Sequence, residues 1–502
     1  MKKTIRLTSV LLTICLTIPA FTVYASDDQR LIGDVNNDGF VAITDVTALQ
    51  RHLAQTEMLG YDSQAAGDVD GNGALNITDA TTIQRFLAEM DVEYPINEPL
   101  SLYEKETEAA LSALKNCLAQ TKAAAGGKPV LIRSYDTDDI HLSNSAYTYD
   151  NALAAMAFIS SGDKADAEEI LDAFVYVTEH DRYKPGMIRN AYAADTVYYY
   201  NNGDSVKLPG WWDYSISQWC EDRTQVGCNV GNTSYAALAM LQYDKAYNSG
   251  KYLGTAKTLM DWVLSECTDS KDGFTSGFEG WPENGDVTVL KYKSTENNID
   301  AYSAFKQLYA VTGEQKYRDA ADSALRFIKS MYDSDRGLFY VGTLDDGSTN
   351  KSIAALDAQV WSAMALGDEF APYTAALDIA DSMRLPDGGY PFYSENQNGG
   401  WWAEGTAFTA LMLRERNEYE KNIAAMNALC SIQLESGLFP AATVEHLSTG
   451  LSWEYSTDPC VAPTAWFIMA ANGFDPYVFL SNQCRPIRNM ETRMDKTIFN
   501  DE

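Results

Sequence analysis

In the stretch NGGWWAEGTAF, residues 398–408, two tryptophans stand directly before a glutamate, Glu404. Indole rings keep water from a carboxyl, which disfavours its charged form and raises its pKa. A carboxyl that stays protonated at neutral pH can donate to a glycosidic oxygen while a second, ionised carboxylate activates water. Five more acids stand in comparable settings: Glu296 and Asp300 in KSTENNIDAYSAF, Asp150 in YTYDNALAAMAF, Asp357 in LDAQVWSAMAL and Asp222 in WCEDRTQVGCNVGN. Glu296 and Asp300 are four apart and share one face of a helix, so they are the preferred partners for Glu404, with Asp150 as a rival. Working carboxyls roughly 6.5–9.5 Å apart would invert the sugar carbon, and carboxyls near 5 Å would retain it. The histidines are His52, His141, His180 and His446, and there is no CxxC pair or His-rich cluster. Zinc chemistry, redox chemistry and imidazole-based triads are therefore poorly supplied, and carboxylates must do the work of a hydrolase.

Such acids need a frame. From residue 100 onward apolar residues recur at spacings of three and four, the helical pattern. They predict twelve helices, at about 103–124, 147–161, 164–179, 232–247, 252–266, 298–312, 315–331, 352–366, 370–383, 402–416, 418–434 and 461–472. Short glycine-containing turns (SSGDKAD, NSGKYLG, VTGEQKY, ALGDEFA) join pairs of helices into antiparallel hairpins. The connections between hairpins are long, about 180–231, 267–297, 332–351, 384–401 and 435–460. In a barrel of six hairpins this alternation gathers the long loops at one end, ahead of the inner helices, and long loops on a rigid frame are where function concentrates. Trp211, Trp212, Trp219, Trp281, Trp401, Trp402 and Trp453 fall in or beside those loops, whereas Trp262, Trp361 and Trp466 fall inside helices and read as core. Flat aromatic faces beside carboxylates are what sugar rings stack on. The acids at the helix starts also have a structural use, as caps and as complements to the helix dipole. The arrangement resembles the six-hairpin glycosidases, the (α/α)6 toroids, over residues 101–475. That resemblance implies a glycan-cleaving enzyme, usually inverting, with its acids at the open end and no cofactor in catalysis.

Ahead of the helices lies a repeat of a different kind. GDVNNDGFVAITD at 33–45 returns as GDVDGNGALNITD at 67–79, 34 residues later. Each copy fits a twelve-residue calcium loop, with oxygen side chains at positions 1, 3 and 5, glycine at 6, a carbonyl at 7 and a carboxylate at 12. The ligands would be Asp34, Asn36, Asp38, the Phe40 carbonyl and Asp45, then Asp68, Asp70, Asn72, the Ala74 carbonyl and Asp79, with Asn76 holding a water. No incoming helix precedes either loop, and position 12 is Asp rather than Glu; only exit helices follow, VTALQRHLA and ATTIQRFLA. Over residues 31–92 this duplicated half-motif resembles the type I dockerin of cellulosomal proteins. The resemblance implies two Ca2+ ions that supply folding energy, and a cohesin partner on a scaffoldin or cell-surface protein. It places the cohesin-reading positions at Ile43, Thr44 and Arg51, and at Ile77, Thr78 and Arg85, so that either copy can dock.

The expected organisation is a signal peptide at 1–25, a dockerin at 31–92, a linker at 93–100, the toroid at 101–475 and a surface tail at 476–502. Lys2, Lys3 and Arg6 before an apolar run ending Val23-Tyr24-Ala25 have the form of a secretory leader, which implies an extracellular protein, in a cellulosome or at the cell surface. No later segment reads as a membrane span. The net charge of −32 argues against nucleic acid and anionic lipid as partners and leaves a glycan as the expected substrate. Cys220 with Cys228, and Cys430 with Cys460, could pair, though buried free thiols serve equally well. Two alternatives stay open: a polysaccharide lyase, using the tyrosines of TVYYYNN (196–202) with Arg223 or Lys293, and a non-catalytic glycan-binding subunit.

Overall fold

The computed structural model describes residues 30–125, 130–194, 206–396 and 399–479; the expected leader, the tyrosine run at 196–202 and the chain from residue 480 lie outside them. In the N-terminal module, α1 (Ile43–Leu53) and α3 (Ile77–Leu87) each leave a calcium-type loop, and, contrary to the expectation of no incoming helix, the short α2 (Tyr61–Gly67) runs straight into the second loop. Each helix is started by the last carboxylate of its loop. Asp45 accepts from the Ala42 and Asn36 amides, and Asp79 from the Asn76 and Val69 amides, so one side chain ties helix start to loop start. Val35, Val46, Leu49, Val69, Ala80 and Ile83 form the small core between α1 and α3. The expected linker at 93–100 is not a free tether. Ile96 enters that core, and residues 97–100 run antiparallel to residues 30–32 with paired backbone hydrogen bonds.

The second module begins with α4 (Glu104–Ala124), followed by α5 (Thr148–Ser160), α6 (Lys164–Glu179), the single turn α7 (Arg223–Val226), α8 (Val230–Tyr247) and α9 (Leu253–Glu266). Then come α10 (Thr295–Thr312), α11 (Gln315–Ser330), α12 (Leu356–Leu366), α13 (Ala375–Ser382), α14 (Ala403–Glu415), α15 (Tyr419–Ile432) and α16 (Val461–Asn472). The helices α5, α8, α10, α12, α14 and α16 each touch the next, and α16 closes back on α5. They make an inner ring, with α6, α9, α11, α13, α15 and α4 outside. The chemistry of the two rings differs accordingly. Inner α16, VAPTAWFIMAAN, is apolar on every side and buried over Val461–Ala470, whereas outer α11, QKYRDAADSALRFIKS, has one apolar stripe and a charged face.

All twelve expected barrel helices are present. Three differ in extent by three or more residues, for local reasons. The helix α10 starts at Thr295 rather than 298, where the Ser294 hydroxyl accepts from the Asn297 amide, and so takes in Glu296. Residues 352–355 are extended, with Ala355 bridged to Tyr393, so α12 starts at Leu356. Pro372 lacks an amide hydrogen and confines residues 367–373 to a 3-10 turn before α13. The barrel also continues past the expected boundary at residue 475. After Gly473 the chain crosses the end opposite the long loops. There the Pro476 carbonyl accepts from Gln242 and Gln307, and Tyr477 is buried in the barrel axis. Among the described residues, the long loops carry small antiparallel sheets, including the hairpin 211–213/218–220 and a three-stranded sheet of 228–229, 277–281 and 286–290. The six described cysteines are free thiols. No described helix is long and apolar enough to cross a membrane.

Candidate active site and calcium loops

Three of the candidate acids occupy the same place on successive inner helices: Glu296, Asp357 and Glu404 are the second residues of α10, α12 and α14. Asp150 is the third residue of α5, and Asp300 lies one turn further along α10 than Glu296. The long loops lead into these helix starts, so all five sit at one mouth of the barrel. They form a single electrostatic cluster. Burial first, then the charges of Asp150 and Asp357, push the Glu404 carboxyl up to about 8, against the pull of hydrogen bonds from Tyr149 and Trp466. Burial lifts Asp150 and Asp357 to about 7. Glu296 is raised well above the usual carboxylate range by burial and by Asp357 and Glu404, and Asp300 by burial and by Glu296. Such a cluster holds protons at neutral pH, because closely spaced carboxylates in a dry site cannot all ionise.

The five are not equivalent. Glu296 keeps partial solvent access although protein surrounds it, the position of a group lining a hollow; the other four are buried. Glu404 accepts from the Tyr149 hydroxyl, which in turn accepts from the Trp466 indole 3.1 Å away. Asp300 is the deepest, accepting from the Tyr477 hydroxyl at 3.1 Å, and that hydroxyl meets Tyr235 at 2.7 Å. On Asp150, Ser134 donates to the carboxyl, while Oδ2 has no partner among the described residues. Asp222 does not join the group. It caps α7, accepting from the Thr224 and Gln225 amides.

Beneath the acids lies a floor that the sequence reading missed. The sixth residues of α8, α10, α12, α14 and α16 are Tyr235, Asp300, Trp361, Phe408 and Trp466. Trp361 packs on Phe408 at 5.2 Å, on Trp466 at 6.1 Å and on Tyr235 at 5.9 Å between ring centroids, and Tyr477 fills the centre at 5.8 Å from Trp361. Trp361 and Trp466 are buried in the core, as expected, and within it they form this layer. Aligning the inner helices at their first residues would have exposed it. Tyr455 was also overlooked. It feels the charges of Glu404 and Glu296 and stacks on Trp402, 20° from parallel.

The tryptophans divide. Trp401 and Trp402 are buried. A Cβ on Gly389 would lie 2.3 Å from the Trp401 ring, and one on Gly405 would lie 2.4 Å from Trp402, so these glycines are the beds of the two indoles. The Trp401 N–H is tied to Asp387 at 3.0 Å. Trp401 therefore pins its loop and offers no face to a ligand, contrary to the expectation. Trp402, the residue ahead of α14, is packed on Phe392, Phe408 and Tyr455. Trp281 donates to Glu221 at 2.8 Å and carries Arg223 over its ring. Trp212 and Trp453 are 48% and 47% exposed, with Trp211 and Trp219 half-buried in the same hairpin as Trp212.

The calcium loops have the expected donors. In the second loop, carboxylate oxygens of Asp68, Asp70 and Asp79 lie within 4.8 Å of one another. Burial, then the charges of Asp70 and Asp68, raise Asp79 to about 6. A divalent cation relieves that repulsion, and an all-oxygen donor set suits calcium. In the first loop Asp34 accepts from the Asp38 and Gly39 amides, the same turn that Asp68 makes with Asn72 and Gly73. Gly39 and Gly73 hold φ values of +87° and +82°, which only glycine adopts freely. Ile43, Thr44, Arg51, Ile77, Thr78 and Arg85 are all exposed, as a partner-reading face requires.

Residues 32–88 match the dockerin type I domain family. No curated protein matches the chain. Among solved structures, a glycosidase in complex with glucose is 13% identical, covers 75% of this chain and 100% of its own, and superposes with a TM-score of 0.51. A novel alpha-amylase from Clostridium perfringens is 12% identical, with 74% and 98% covered and a TM-score of 0.53. A cellobiose 2-epimerase from Bacillus thermoamylovorans is 12% identical, with 73% and 98% covered and a TM-score of 0.51. At these identities the likeness is one of fold. Residues 32–88 are a type I dockerin, the cohesin-binding attachment module of cellulosomes, set ahead of a helical toroid of the glycosidase-like fold.

Proposed function

We propose that the toroid hydrolyses a glycosidic bond of a plant polysaccharide or oligosaccharide, with Glu404 as general acid and Glu296 as the base that activates water. The observation that carries this reading is the contrast within one cluster. Glu404 is buried with its carboxyl held by Tyr149 and keeps its proton up to about pH 8. Glu296, also raised well above the usual carboxylate range, is the one of the five with access to solvent and acts as base in the form that has passed its proton to water. Asp300 is anchored below by Tyr477 and serves to position the floor. An inverting outcome follows if a water fits between the two carboxyls. Secretion through the leader at 1–25 and attachment through a cohesin then place the enzyme on extracellular substrate.

Two observations favour hydrolysis over lyase chemistry. None of the four histidines lies on an inner helix beside the five acids; His141 and His446 stand in the loops, where His141 packs on Trp211 and His446 meets Glu454. The cations a lyase needs are engaged: Arg223 pairs with Asp286 at 2.9 Å, and the Lys293 ammonium is held by Asp269 and by the Asp272 and Gly273 carbonyls. Reducing-sugar release by the purified protein on a panel of plant glycans, with Glu404→Gln alongside, tests the proposal. New reducing ends from the wild type and none from the variant are expected. An unsaturated, ultraviolet-absorbing product would mean lyase chemistry instead, and glycan binding without new reducing ends would mean a binding subunit.

A further inference from the structure

The dockerin sits on the toroid through its second calcium loop, and the contact reaches a calcium ligand. Tyr419, the first residue of α15, donates its hydroxyl to Oδ2 of Asp68 at 3.0 Å, the same oxygen that accepts from the Gly73 amide at 2.8 Å. Asp68 is position 1 of the loop. Its counterpart in the first loop, Asp34, accepts from the Asp38 and Gly39 amides of its own loop. Around this bond the turn between α14 and α15 grips α2. Asn417 accepts from the Tyr61 amide at 2.7 Å through its side chain and from Gln64 through its carbonyl, and Asn422 accepts from the Tyr61 hydroxyl at 2.8 Å. Ile423 lies so close to Gly73 that a Cβ there would meet it at 2.8 Å. Tyr61, Ala65, Tyr419 and Ile423 are buried together as one apolar cluster. A buried network in which polar partners are matched specifies one arrangement, since sliding it would strand several groups at once.

We propose that the toroid acts as a calcium-linked mount for the dockerin: Tyr419 orients Asp68 from outside the loop, so that the second loop binds calcium more tightly than the first, and calcium binding in turn locks the two modules in one orientation. Outer groups that hydrogen-bond a metal ligand set its orientation and basicity, and their removal typically costs about 10–100-fold in metal affinity. Linkage makes the effect reciprocal, so what tightens calcium on the docked module also tightens docking when calcium is present. The mount leaves the cohesin-reading residues of both copies uncovered, with Ile43 and Ile77 61% and 60% exposed. The enzyme would then present its dockerin rigidly while keeping either face available.

Calcium alone, titrated calorimetrically into the calcium-depleted full-length protein, tests the proposal without any glycan and so independently of the hydrolase reading. The wild type should show two sites of unequal affinity. Tyr419→Phe keeps the ring against Tyr61 and should weaken the tighter site about tenfold or more, leaving the other unchanged. Asn417→Ala, which loosens the grip on α2 and touches no ligand residue, should weaken the same site. Small-angle scattering should report a compact particle with calcium and a larger radius of gyration after chelation. Identical constants in wild type and both variants, or a radius indifferent to chelation, would overturn the proposal; a wild type that binds no calcium would overturn it together with the calcium assignment.

Discussion

In the second calcium loop, Asp68, Asp70 and Asp79 belong to one twelve-residue segment, and backbone amides of that same segment aim the first and last of them at a common point. At the toroid mouth, Asp150, Asp357 and Glu404 come from three helices far apart in sequence, held by the closure of a ring. Both places crowd carboxylates, and both raise pKa values by burial. What differs is the relief. The loop offers an oxygen cage that a cation can neutralise, whereas the mouth offers aromatic walls and hydroxyl donors, and its acids are relieved by keeping protons. Similar side chains are suited to a cation in one setting and to holding protons in the other.

Removing the cation breaks the comparison most sharply. Chelation should abolish cohesin binding, because so small a module draws its folding energy from calcium. Cleavage of a soluble oligosaccharide should persist, since the mouth needs no metal under this reading. A pull-down with a cohesin and a sugar assay on the same chelated sample measure both. Next in size, Glu404→Gln should lower kcat about 10³-fold, within the 10²–10⁴ range of a lost general acid, with an unchanged circular dichroism spectrum. A variant retaining more than about a tenth of the wild-type kcat, against that same range for a lost general acid, would remove Glu404 from the mechanism.

The two clusters should also respond to pH with opposite sign. In the toroid, the folded pKa values of Glu404 (about 8) and of Asp150 and Asp357 (about 7) lie above the ordinary carboxylate values of 4.5 and 3.8. At these three groups the folded state therefore holds more protons than the unfolded one, and their contribution to toroid stability is fully present at low pH and is lost as pH rises through about 4 to 8. Activity should fall above about pH 8 as Glu404 loses its proton. In the dockerin the order reverses. Protons compete with calcium for Asp79 below about 6, so calcium affinity should rise with pH through that range. Thermal melts and calcium titrations across pH 4 to 9 would show the crossing trends, and parallel trends would contradict the distinction.

How legible each cluster was follows from the same contrast. The calcium ligands and their glycines could be read from spacing alone, because every determinant lies within a dozen residues, whereas the docking residues came only with the resemblance to a dockerin. The twelve helices were legible from periodicity, since inner and outer helices differ in how far round their apolar surface extends. The acids were legible as helix-start residues, but their ranking was not, because the Tyr477–Asp300 and Tyr149–Glu404 bonds join segments that only the closed ring brings together. The Trp401 error has a similar origin. Its partners, Gly389 and Asp387, lie in the same loop, yet nothing in a local pattern tells an indole that faces its own loop from one that faces a ligand.

Tyr477→Phe sharpens the division of labour inside the mouth. It deletes the hydroxyl shared by Asp300 and Tyr235 and should cost about 1–3 kcal/mol of toroid stability, the penalty of unpaired buried groups. The kcat should stay within a few-fold of wild type. A collapse of kcat comparable to that of Glu404→Gln would make Asp300 a working group and displace Glu296 as the base.

The smallest effects belong to the rim, and there the tryptophans separate by what they touch. Trp453 and Trp212 each leave nearly half their surface to solvent, so truncation to Ala removes little internal packing. If they are platforms for sugar rings, each should raise KM about two- to tenfold, corresponding to the 0.5–1.5 kcal/mol of an aromatic contact, with Tm unchanged. Trp401→Ala should do the reverse. It empties the bed over Gly389 and frees Asp387, so it should lower stability by about 3–5 kcal/mol, while the protein that remains folded binds substrate with unaltered KM. Measuring Tm and KM on all three variants distinguishes rings that face a ligand from rings that face their own loop. A KM change in Trp401→Ala without a stability change would show that the loop opens in solution and that the indole serves the substrate after all.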